Sequence, residues 1–481
     1  MLLPKKTCII LVAAAALLAG GFARAQSGAE GALWENRHIT KHVKAYDGAK
    51  TCLECHDEEA ADVFKSIHYQ WSADAPNITN AEGKKIGKIN STNDFCTNPA
   101  VSWIGILTND EGKIIGNGCS KCHVGLGAKP EPKMTQAQLE NIDCLVCHSA
   151  NYRREVVKKA DGSLAWQPKA LGNKDQMLSI AQNVTKPTNE ICMRCHVGSG
   201  GGLNFKRGDI ETAHARADRD FDVHMGSNMQ CIQCHKFKNH QVLGAGTQMS
   251  GKDSGEARGQ CENCHKGKVH AKPENDKHAS RVYCTACHIT SFARHDKTDM
   301  HRDWSQSEAV SGEGRFEPRI EFQSNVKPVY AWWNGSGEIA LLNQAVKVRP
   351  NGKVAMYLPN GSKKDPKARI YAFKYHTGKV PIDADTKMMI PVQVGPVFKT
   401  GKVEAGVKGG AKAWFGKDVA NIGWIDTERY MGIFHEVEPS KNALGCVDCH
   451  EGGTRMDWKA LGYASDPAKG KIKAKDKVAA R

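Results

Sequence analysis

The stretch Cys231-Ile-Gln-Cys234-His235-Lys-Phe-Lys-Asn-His240 begins with a five-residue motif, CxxCH, that recurs along the chain and decides its fold. The motif returns in Cys261-Glu-Asn-Cys264-His265-Lys-Gly-Lys-Val-His270. It occurs eight times, with these cysteines and histidines: Cys52, Cys55 and His56; Cys119, Cys122 and His123; Cys144, Cys147 and His148; Cys192, Cys195 and His196; Cys231, Cys234 and His235; Cys261, Cys264 and His265; Cys284, Cys287 and His288; Cys446, Cys449 and His450. The motifs use 16 of the 18 cysteines and leave only Cys8 and Cys96.

This spacing indicates covalent haem attachment. Two thiols three positions apart reach the two vinyl groups of a haem, and the histidine that follows binds the iron. Zinc ribbons also use CxxC pairs, but they do not require a histidine after each pair. Disulfide frameworks, the usual use of many cysteines in an exported chain, do not require this spacing either. The sequence therefore predicts eight haem c groups, held by the sixteen motif cysteines and the eight motif histidines.

Each iron needs a sixth ligand or leaves an open position. Twelve histidines lie outside the motifs, and seven of them stand beside a motif or in the repeated Cys-His-x4-His pattern. His68 follows His56 on a helical segment about 18 Å away, so it should serve a neighbouring haem. The predicted sixth ligands are His42, His68, His224, His240, His270, His278 and His435. Seven histidines for eight irons leave one haem without a distal histidine, and a substrate could bind there.

Charge and the first residues bear on where the chain works. Residues 1–25 have Lys5 and Lys6, an apolar run and an Ala-Arg-Ala end, as in a secretory signal peptide. No later segment is apolar enough to span a bilayer. The formal charge of +15 falls to +12 without residues 1–25, which hold three basic residues and no acidic one. Scattered lysines argue against nucleic acid as a partner, and haem propionates explain the positive excess better.

The motifs divide the chain unevenly. After the signal peptide, residues 26–290 form a multihaem region with seven motifs, and residues 291–440 form a segment without any motif. Residues 441–481 hold the eighth motif and a basic tail. We expect a mainly α chain with much irregular structure, packed around eight haems. The motif-free segment should contain a small β region, because short β-like pieces such as Val329–Trp333 precede turn signals there.

Several longer stretches resemble the octahaem tetrathionate reductase family of multihaem c-type cytochromes. They include Ser66-Ile-His-Tyr-Gln-Trp71, Asp94-Phe95-Cys96, Asn141-Ile-Asp-Cys-Leu-Val-Cys-His148, Trp332-Trp-Asn-Gly335 and Phe373-Lys-Tyr-His376. The resemblance extends from about His38 to His450. It implies periplasmic reduction of tetrathionate, nitrite and hydroxylamine at one haem with a lysine as its second ligand.

The resemblance also implies where that site lies. The haem of Cys119–His123 would be the active one, with Cys96 in its pocket and Lys374 nearby. This chain departs from the family at the ligand lysine, where it has Arg153 and Arg154, and arginine cannot lose its proton to bind iron. Lys158 or Lys159 could substitute, the site could be open, or the activity could be lost. The candidate catalytic residues are Cys96, Lys374, His376, Arg153, Arg154 and Lys158.

Two functions are compatible with these patterns. One is a periplasmic reductase of small sulfur or nitrogen oxyanions, with basic side chains that attract the anion. The other is an electron-transfer conduit in which every iron has six ligands. Either one implies a redox partner, a cytochrome or a quinol-oxidising membrane protein, and the reductase also implies a small inorganic substrate. The sixth ligand of the second haem distinguishes the two functions.

Overall fold

The structure is a computed structural model. It describes residues 37–472 except 82, 92–93, 97, 173–175, 199–202, 204–205 and 244–258, and it describes side chains from residue 40 onward. The predicted signal peptide and most of the Lys-rich tail lie outside these residues. The part of the chain that is described contains no helix both long and apolar enough to cross a membrane.

Short helices and a large sheet make up the described residues. The helices are α1 Arg37–His42, α2 Ala49–Leu53, α3 Asp57–Lys65, α4 Ile67–Gln70, α5 Gly118–Cys122, α6 Gln136–Glu140, α7 Leu145–His148, α8 Met177–Gln182, α9 Asn189–His196, α10 Cys231–Cys234, α11 Pro273–Ala279, α12 Thr285–His288, α13 Val394–Thr400, α14 Val403–Phe415 and α15 Cys446–Cys449. The strands are β1 Ala73–Asp74, β2 Lys85–Ile86, β3 Leu107–Thr108, β4 Ile114–Gly116, β5 Tyr152–Lys158, β6 Leu164–Ala170, β7 Phe237–Lys238, β8 Gln241–Val242, β9 Thr298–Val310, β10 Arg315–Gln323, β11 Val329–Trp333, β12 Gly337–Glu338, β13 Val354–Pro359, β14 Arg369–Asp383 and β15 Ile422–Gly432.

A seven-stranded mixed sheet fills the motif-free segment. Its order is β10-β9-β14-β15-β13-β12, and β11 pairs with the first part of β14. The β9–β14 and β13–β15 pairs are parallel, and the other pairs are antiparallel. The long central strand β14 is buried along most of its length, as expected for a strand covered on both faces. Because side chains alternate along a strand, Lys374 and His376 lie on the same face of β14.

Two apolar clusters fix the sheet within the molecule. In one, α13 and α14 pack on the sheet through residues such as Val397, Val407 and Trp304, and the cluster includes Cys119 of the second motif. In the other, Trp332 and Ile370 of the sheet pack against Ala286 of the seventh motif, with Cys449 at the margin. The sheet therefore contacts haem-attachment motifs at both clusters.

The fold expectation is only partly confirmed. The predicted strand Val329–Trp333 has the same bounds in the structure, and many helices are single turns. The mainly α expectation is not confirmed, because α-helices and strands contain about equal numbers of the described residues and most of the rest is irregular. The β region is also not small. Its longest strand, β14, pairs with β9 and β15, which are distant in sequence and which short-range turn signals do not indicate.

Gly410 lets α14 approach the segment before α13, and its neighbour Gly409 does not contribute in the same way. A Cβ on Gly410 would lie 1.9 Å from the Pro391 carbonyl oxygen, whereas a Cβ on Gly409 would meet only the side chain of Gln393. A backbone atom cannot move away cheaply, but a flexible side chain can. Close backbone packing at Gly410 is therefore a requirement of this helix position.

We expect Gly410→Ala to lower the free energy of unfolding by about 1–3 kcal/mol through overpacking. This reverses the gain of about 1 kcal/mol that Gly→Ala usually gives inside a helix. Urea unfolding followed by circular dichroism measures the change, with Gly409→Ala as the matched control. Equal stability of the two variants would contradict the close packing described for Gly410.

Candidate functional site

Each motif folds as a single helical turn. In the second, fourth, fifth and eighth motifs an α-helix includes both cysteines, and in the third and seventh an α-helix begins directly after the first cysteine. The sixth motif forms the 3₁₀ turn Cys261–Asn263, and the first motif continues from the end of α2. The backbone N–H of the motif histidine donates to the carbonyl of the first cysteine, for example His235 to Cys231 at 2.8 Å and His288 to Cys284 at 3.0 Å. One turn brings residues three apart onto the same side, so both thiols and the imidazole can address one haem. None of the described cysteines forms a disulfide.

Six motif histidines face a second histidine at a nearly constant separation. An imidazole nitrogen binds a metal at about 2.0 Å, so two imidazoles on opposite sides of one metal have ring centroids about 6.3 Å apart. The observed separations are 6.2 or 6.3 Å. The pairs are His196 with His68, His148 with His240, His265 with His224, His235 with His435, His288 with His270, and His450 with His278. This spacing fits an iron between the rings of each pair.

Hydrogen bonds at Nδ1 orient these rings. Nδ1 of His435 lies 3.1 Å from Asp209 Oδ2, that of His270 lies 2.8 Å from Asp276 Oδ1, and that of His450 lies 2.6 Å from Asp466 Oδ1. His148 and His278 use backbone carbonyls in the same way. Such partners fix the tautomer and leave Nε2 for a metal. His214 also lies near His435, at 6.4 Å between ring centroids, and its Nδ1 is bonded to Glu211 within its own turn.

Two motif histidines do not face an imidazole among the described side chains. His56 is exposed and lies 3.5 Å from Glu59, and His42, one of the predicted sixth ligands, is exposed at the end of α1. His42 faces no motif histidine among the described side chains, so its role as a sixth ligand stays a prediction. His123, in contrast, is fully buried. Its Nε2 lies 2.7 Å from the Tyr69 carbonyl oxygen, a contact that iron binding through Nε2 would replace.

Thiols of neighbouring motifs lie together and connect the motifs. Four pairs of thiols lie within hydrogen-bonding reach. Cys52–Cys144 joins the first motif to the third, and Cys122–Cys195 joins the second to the fourth. Cys192–Cys231 joins the fourth to the fifth, and Cys261–Cys284 joins the sixth to the seventh. Cys147 of the third motif lies close to Cys192 and Cys195 of the fourth. Cys234 lies close to Cys264, which joins the fifth and sixth motifs, and Cys287 lies close to Cys446 and Cys449 of the eighth. The motifs therefore form one continuous chain, and the second motif branches from the fourth.

Aromatic rings enclose the second motif. The His123 ring contacts Tyr69 at 4.7 Å, Trp103 at 5.1 Å and Trp71 at 5.6 Å between centroids. Cys96 lies close enough to Cys119 for their charges to interact. Cys96 also lines an apolar cavity under the sheet, together with residues such as Trp304. The structure thus brings Cys96 to the second motif, as the resemblance implied.

Arg154 supports the second motif from behind. Its guanidinium donates to the carbonyls of Lys121, His123 and Gly125 at 2.7, 2.9 and 2.5 Å, and it lies 3.4 Å from Asp143. With these donors engaged, Arg154 positions the loop after the motif rather than facing a substrate. The expectation that it attracts an anion is therefore wrong for this conformation.

Arg153 and Lys158 are also misplaced as candidates. Arg153 is exposed, because it is one residue from Arg154 on β5 and therefore on the opposite face. Lys158 is exposed at the turn end of the β5–β6 hairpin, about 13 Å along the strand from Arg154. Lys158 therefore lies away from the buried surroundings of His123.

A buried polar network lies directly behind Cys96. Nδ1 of His376 is 3.2 Å from Asp94 Oδ2, and its Nε2 is 3.1 Å from Asp299 Oδ1. Arg429 binds Asp94 at 2.7 Å, and Arg302 binds Asp299 at 2.7 Å. Burial alone would raise the pKa of Asp94, but Arg429 and His376 hold it well below its usual range. Both nitrogens of His376 are engaged, so His376 belongs to this network and is not placed as an iron ligand.

Three lysines that sequence reasoning did not place together meet at this network. Lys374 is fully buried and donates to Thr298 Oγ1 at 2.7 Å and to the Lys206 carbonyl at 3.1 Å. Burial lowers the pKa of Lys374 to about 7, and desolvation with Arg429 nearby lowers that of Lys206 to about 7. Lys88 lies 4.6 Å from the Trp71 ring and close enough to Cys119, Cys122 and Lys206 to affect their pKa. Only tertiary structure reveals Lys88 and Lys206.

Repeated CxxCH turns, joined thiols and facing imidazoles define a multihaem c-type cytochrome. Comparisons with known proteins agree. The family described as bacterial cytochrome c matches residues 295–453. The crystal structure of octaheme cytochrome c from Shewanella oneidensis is similar with a TM-score of 0.72 and 30% identity, over 91% of this chain and 98% of that chain. An uncharacterized protein of Archaeoglobus fulgidus is 30% identical over 240 residues, which is 44% of this chain and 78% of the relative.

The chain therefore belongs to the octahaem family of multihaem cytochromes c. Membership implies covalently bound haem c and a redox role.

We expect Asp94→Asn to lower the free energy of unfolding by about 3–5 kcal/mol at pH 7, because Arg429 would be left buried without its counter-charge. The depressed pKa of Asp94 also stabilises the wild type above the unfolded pKa of about 3.9, and this contribution is lost as pH falls further. The variant should therefore lose less stability than the wild type as the pH falls from about 5 to about 2.

Urea unfolding at several pH values measures both effects. Asp110→Asn is the matched control, because Asp110 is an exposed partner of Lys399 and its loss should cost less than about 1 kcal/mol. Equal destabilisation by the two substitutions would contradict the buried ion pair.

Proposed function

We propose that this chain binds eight haem c groups and acts as a periplasmic reductase of small sulfur or nitrogen oxyanions at the second motif. The observation that carries this proposal is the difference between His123 and the six motif histidines that face a second imidazole. Six motif histidines face a second imidazole at iron-binding distance, and His123 faces none among the described side chains. A haem without a distal histidine has a position for a lysine or a substrate.

We further propose that the six facing pairs are axial ligand pairs. Their sixth ligands are His68, His224, His240, His270, His278 and His435, and His42 stays the proposed ligand for the first motif. When bound, the haems supply one-electron redox chemistry. The protein's part is to set the ring orientations through Nδ1 and to keep the second motif among aromatic side chains that exclude water.

At the proposed site, basic groups would hold the anion. Lys88 lies close to the cysteines of the second motif, and the amines of Lys206 and Lys374 lie 5.9 and 5.6 Å from the ring of Phe95, which precedes Cys96. Lys206 or Lys88 replaces Lys158 as the proposed lysine ligand. Because the pKa of Lys206 and Lys374 is lowered to about 7, these two amines can be charged to bind an anion or neutral to bind a metal. The chain Asp94–His376–Asp299 can move a proton behind Cys96, because its members are hydrogen-bonded in sequence.

A conduit without substrate chemistry is the second candidate. It is favoured by the unbroken series of thiol contacts from the first motif to the eighth and by the loss of the family lysine at Arg153-Arg154. For either function the proposed partner is a cytochrome or a quinol-oxidising membrane protein.

The haem proposal predicts eight haems per chain in a pyridine haemochrome assay with protein quantitation. Electron paramagnetic resonance of the oxidised protein should show low-spin bis-histidine haems together with one high-spin or lysine-ligated haem. Bis-histidine signals from every haem, with no reduction of nitrite, hydroxylamine or tetrathionate, would establish the conduit instead.

We expect Lys206→Met to slow anion reduction by about 10²-fold or more while the haem content stays unchanged, as for removal of one charge-stabilising donor. Lys158→Met, a matched exposed lysine, should have little effect. Because the pKa of Lys206 and Lys374 is about 7, their charge is present below that pH. The wild-type rate should therefore fall as pH rises through about 7. A larger loss in Lys158→Met than in Lys206→Met would refute this assignment.

A further inference from the structure

The fifth and sixth motifs are followed by the same basic sequence. Each motif histidine precedes Lys-x-Lys-x-His, with Lys236 and Lys238 in one copy and Lys266 and Lys268 in the other. The repeat does not serve equivalent iron positions, because His240 faces the third motif whereas His270 faces the seventh. The two lysines are therefore a shared feature that ligand geometry does not explain.

Both copies are on the surface. Residues 233–239 and 263–269 are exposed without interruption, and they include the second thiol of each motif, Cys234 and Cys264. Phe237 is 48% exposed and Val269 is 47% exposed, so each copy presents an apolar side chain between or beside its lysines. Because each copy directly follows an attachment motif, these lysines lie beside the fifth and sixth haem-attachment sites.

The two copies lie next to each other. Cys234 and Cys264 are close enough for their charges to interact, and a Cβ on Gly259 would lie 3.3 Å from the Cys234 carbonyl oxygen. We call the exposed residues 233–239 and 263–269 the lysine face. It carries four lysines and no carboxylate. Of the nearby carboxylates, Glu262 pairs with Arg369 and Asp276 with His270.

The face also has a short route to the second motif. The fifth motif touches the fourth through Cys231 and Cys192, and the fourth touches the second through Cys195 and Cys122. Electrons that arrive at the fifth motif therefore need to pass through only one further motif before the second. The first motif also exposes a thiol, but acidic residues surround it: Glu54, Asp57, Glu58 and Glu59.

We propose that the lysine face is the docking surface for an acidic one-electron donor protein, which passes electrons to the chain at the fifth and sixth motifs. This proposal identifies the redox partner of the proposed function, and it rests on the proposed function only for the destination of the electrons, the second motif. Four exposed lysines around two apolar side chains complement a partner whose redox centre is ringed by carboxylates. An anionic membrane would also attract lysines, but it has no redox centre to exchange electrons with the adjacent motifs.

The proposed reaction is the transfer of one electron from the donor protein to the chain. The donor's centre loses one electron, a ferric haem of the chain gains it, and no bond forms or breaks. Opposite charges should accelerate the encounter at low salt, and screening at high salt should remove the advantage.

The test uses the full haem-loaded chain and flavodoxin, a small acidic flavoprotein, as the probe. Calorimetric binding of the two oxidised proteins is measured at about 20 and about 300 mM salt. The variant is Lys236→Glu with Lys238→Glu, Lys266→Glu and Lys268→Glu. The control variant reverses four exposed lysines of the sheet region: Lys347, Lys402, Lys412 and Lys417. Stopped-flow absorbance then gives the rate of haem reduction by flavodoxin hydroquinone.

The proposal expects the lysine-face variant to bind flavodoxin about tenfold or more weakly at low salt and to be reduced about tenfold or more slowly. Reduction by the methyl viologen radical cation should be unchanged, and the control variant should resemble the wild type. Haem content and circular dichroism identify a variant that failed to fold, in which case the same four Lys→Gln substitutions provide the comparison.

Equal effects of the two variants would overturn the proposal. It would also be overturned if the lysine-face variant lost binding to phosphatidylglycerol vesicles, or to a second copy of the chain in ultracentrifugation, but not to flavodoxin. None of these measurements needs an oxyanion substrate. A chain that reduces no oxyanion, yet shows the expected binding and reduction, would refute the reductase and support the docking surface.

Discussion

The structure depends on one geometric constraint, the separation of about 6.3 Å that a metal imposes on two imidazoles that face each other across it. Six pairs satisfy it, and each of the six joins residues from different helices or loops. Each partner must then be oriented through Nδ1, which is why buried or half-buried carboxylates such as Asp209 and Asp466 lie beside the rings. Such precise placement explains how a chain with so few long helices holds a defined shape.

The same constraint explains the charge distribution around the second motif. Where six motif histidines have an imidazole partner, His123 has aromatic neighbours, and lysines occupy the space toward Cys96. A cluster of buried cations is costly unless counter-charges accompany it. Asp94 and Asp299 supply them, and the central strand β14 supplies the rigid support for Lys374 and His376.

Local features were predictable from the sequence, and tertiary ones were not. The CxxCH turns depend on residues within one helical turn, so their positions could be read directly. His68, His240 and His435 could be chosen as ligands because they lie near motifs in the sequence. Their partners could not be predicted in this way, because His435 faces His235 although the whole sheet segment separates them in sequence. Arg153 and Lys158 were chosen because they follow the third motif, but strand alternation turns Arg153 to the exposed face and Lys158 lies at the exposed end of its hairpin. Lys88 and Lys206 lie far apart in sequence and converge only through the fold.

The histidine pairs also set an order of assembly. His235 and His435 are roughly 200 residues apart, and closing so long a loop has an entropic cost that a single coordination bond must offset. His278 likewise faces His450, near the end of the described chain. Until His435 emerges from synthesis, the fifth motif lacks its partner, although its thiols are already accessible for attachment. Cofactor attachment can thus proceed from the first motif onward, whereas the proposed pairings of the fifth and eighth motifs are completed only when the last part of the chain is present. A truncation before residue 435 would remove the eighth motif and leave the fifth motif without His435.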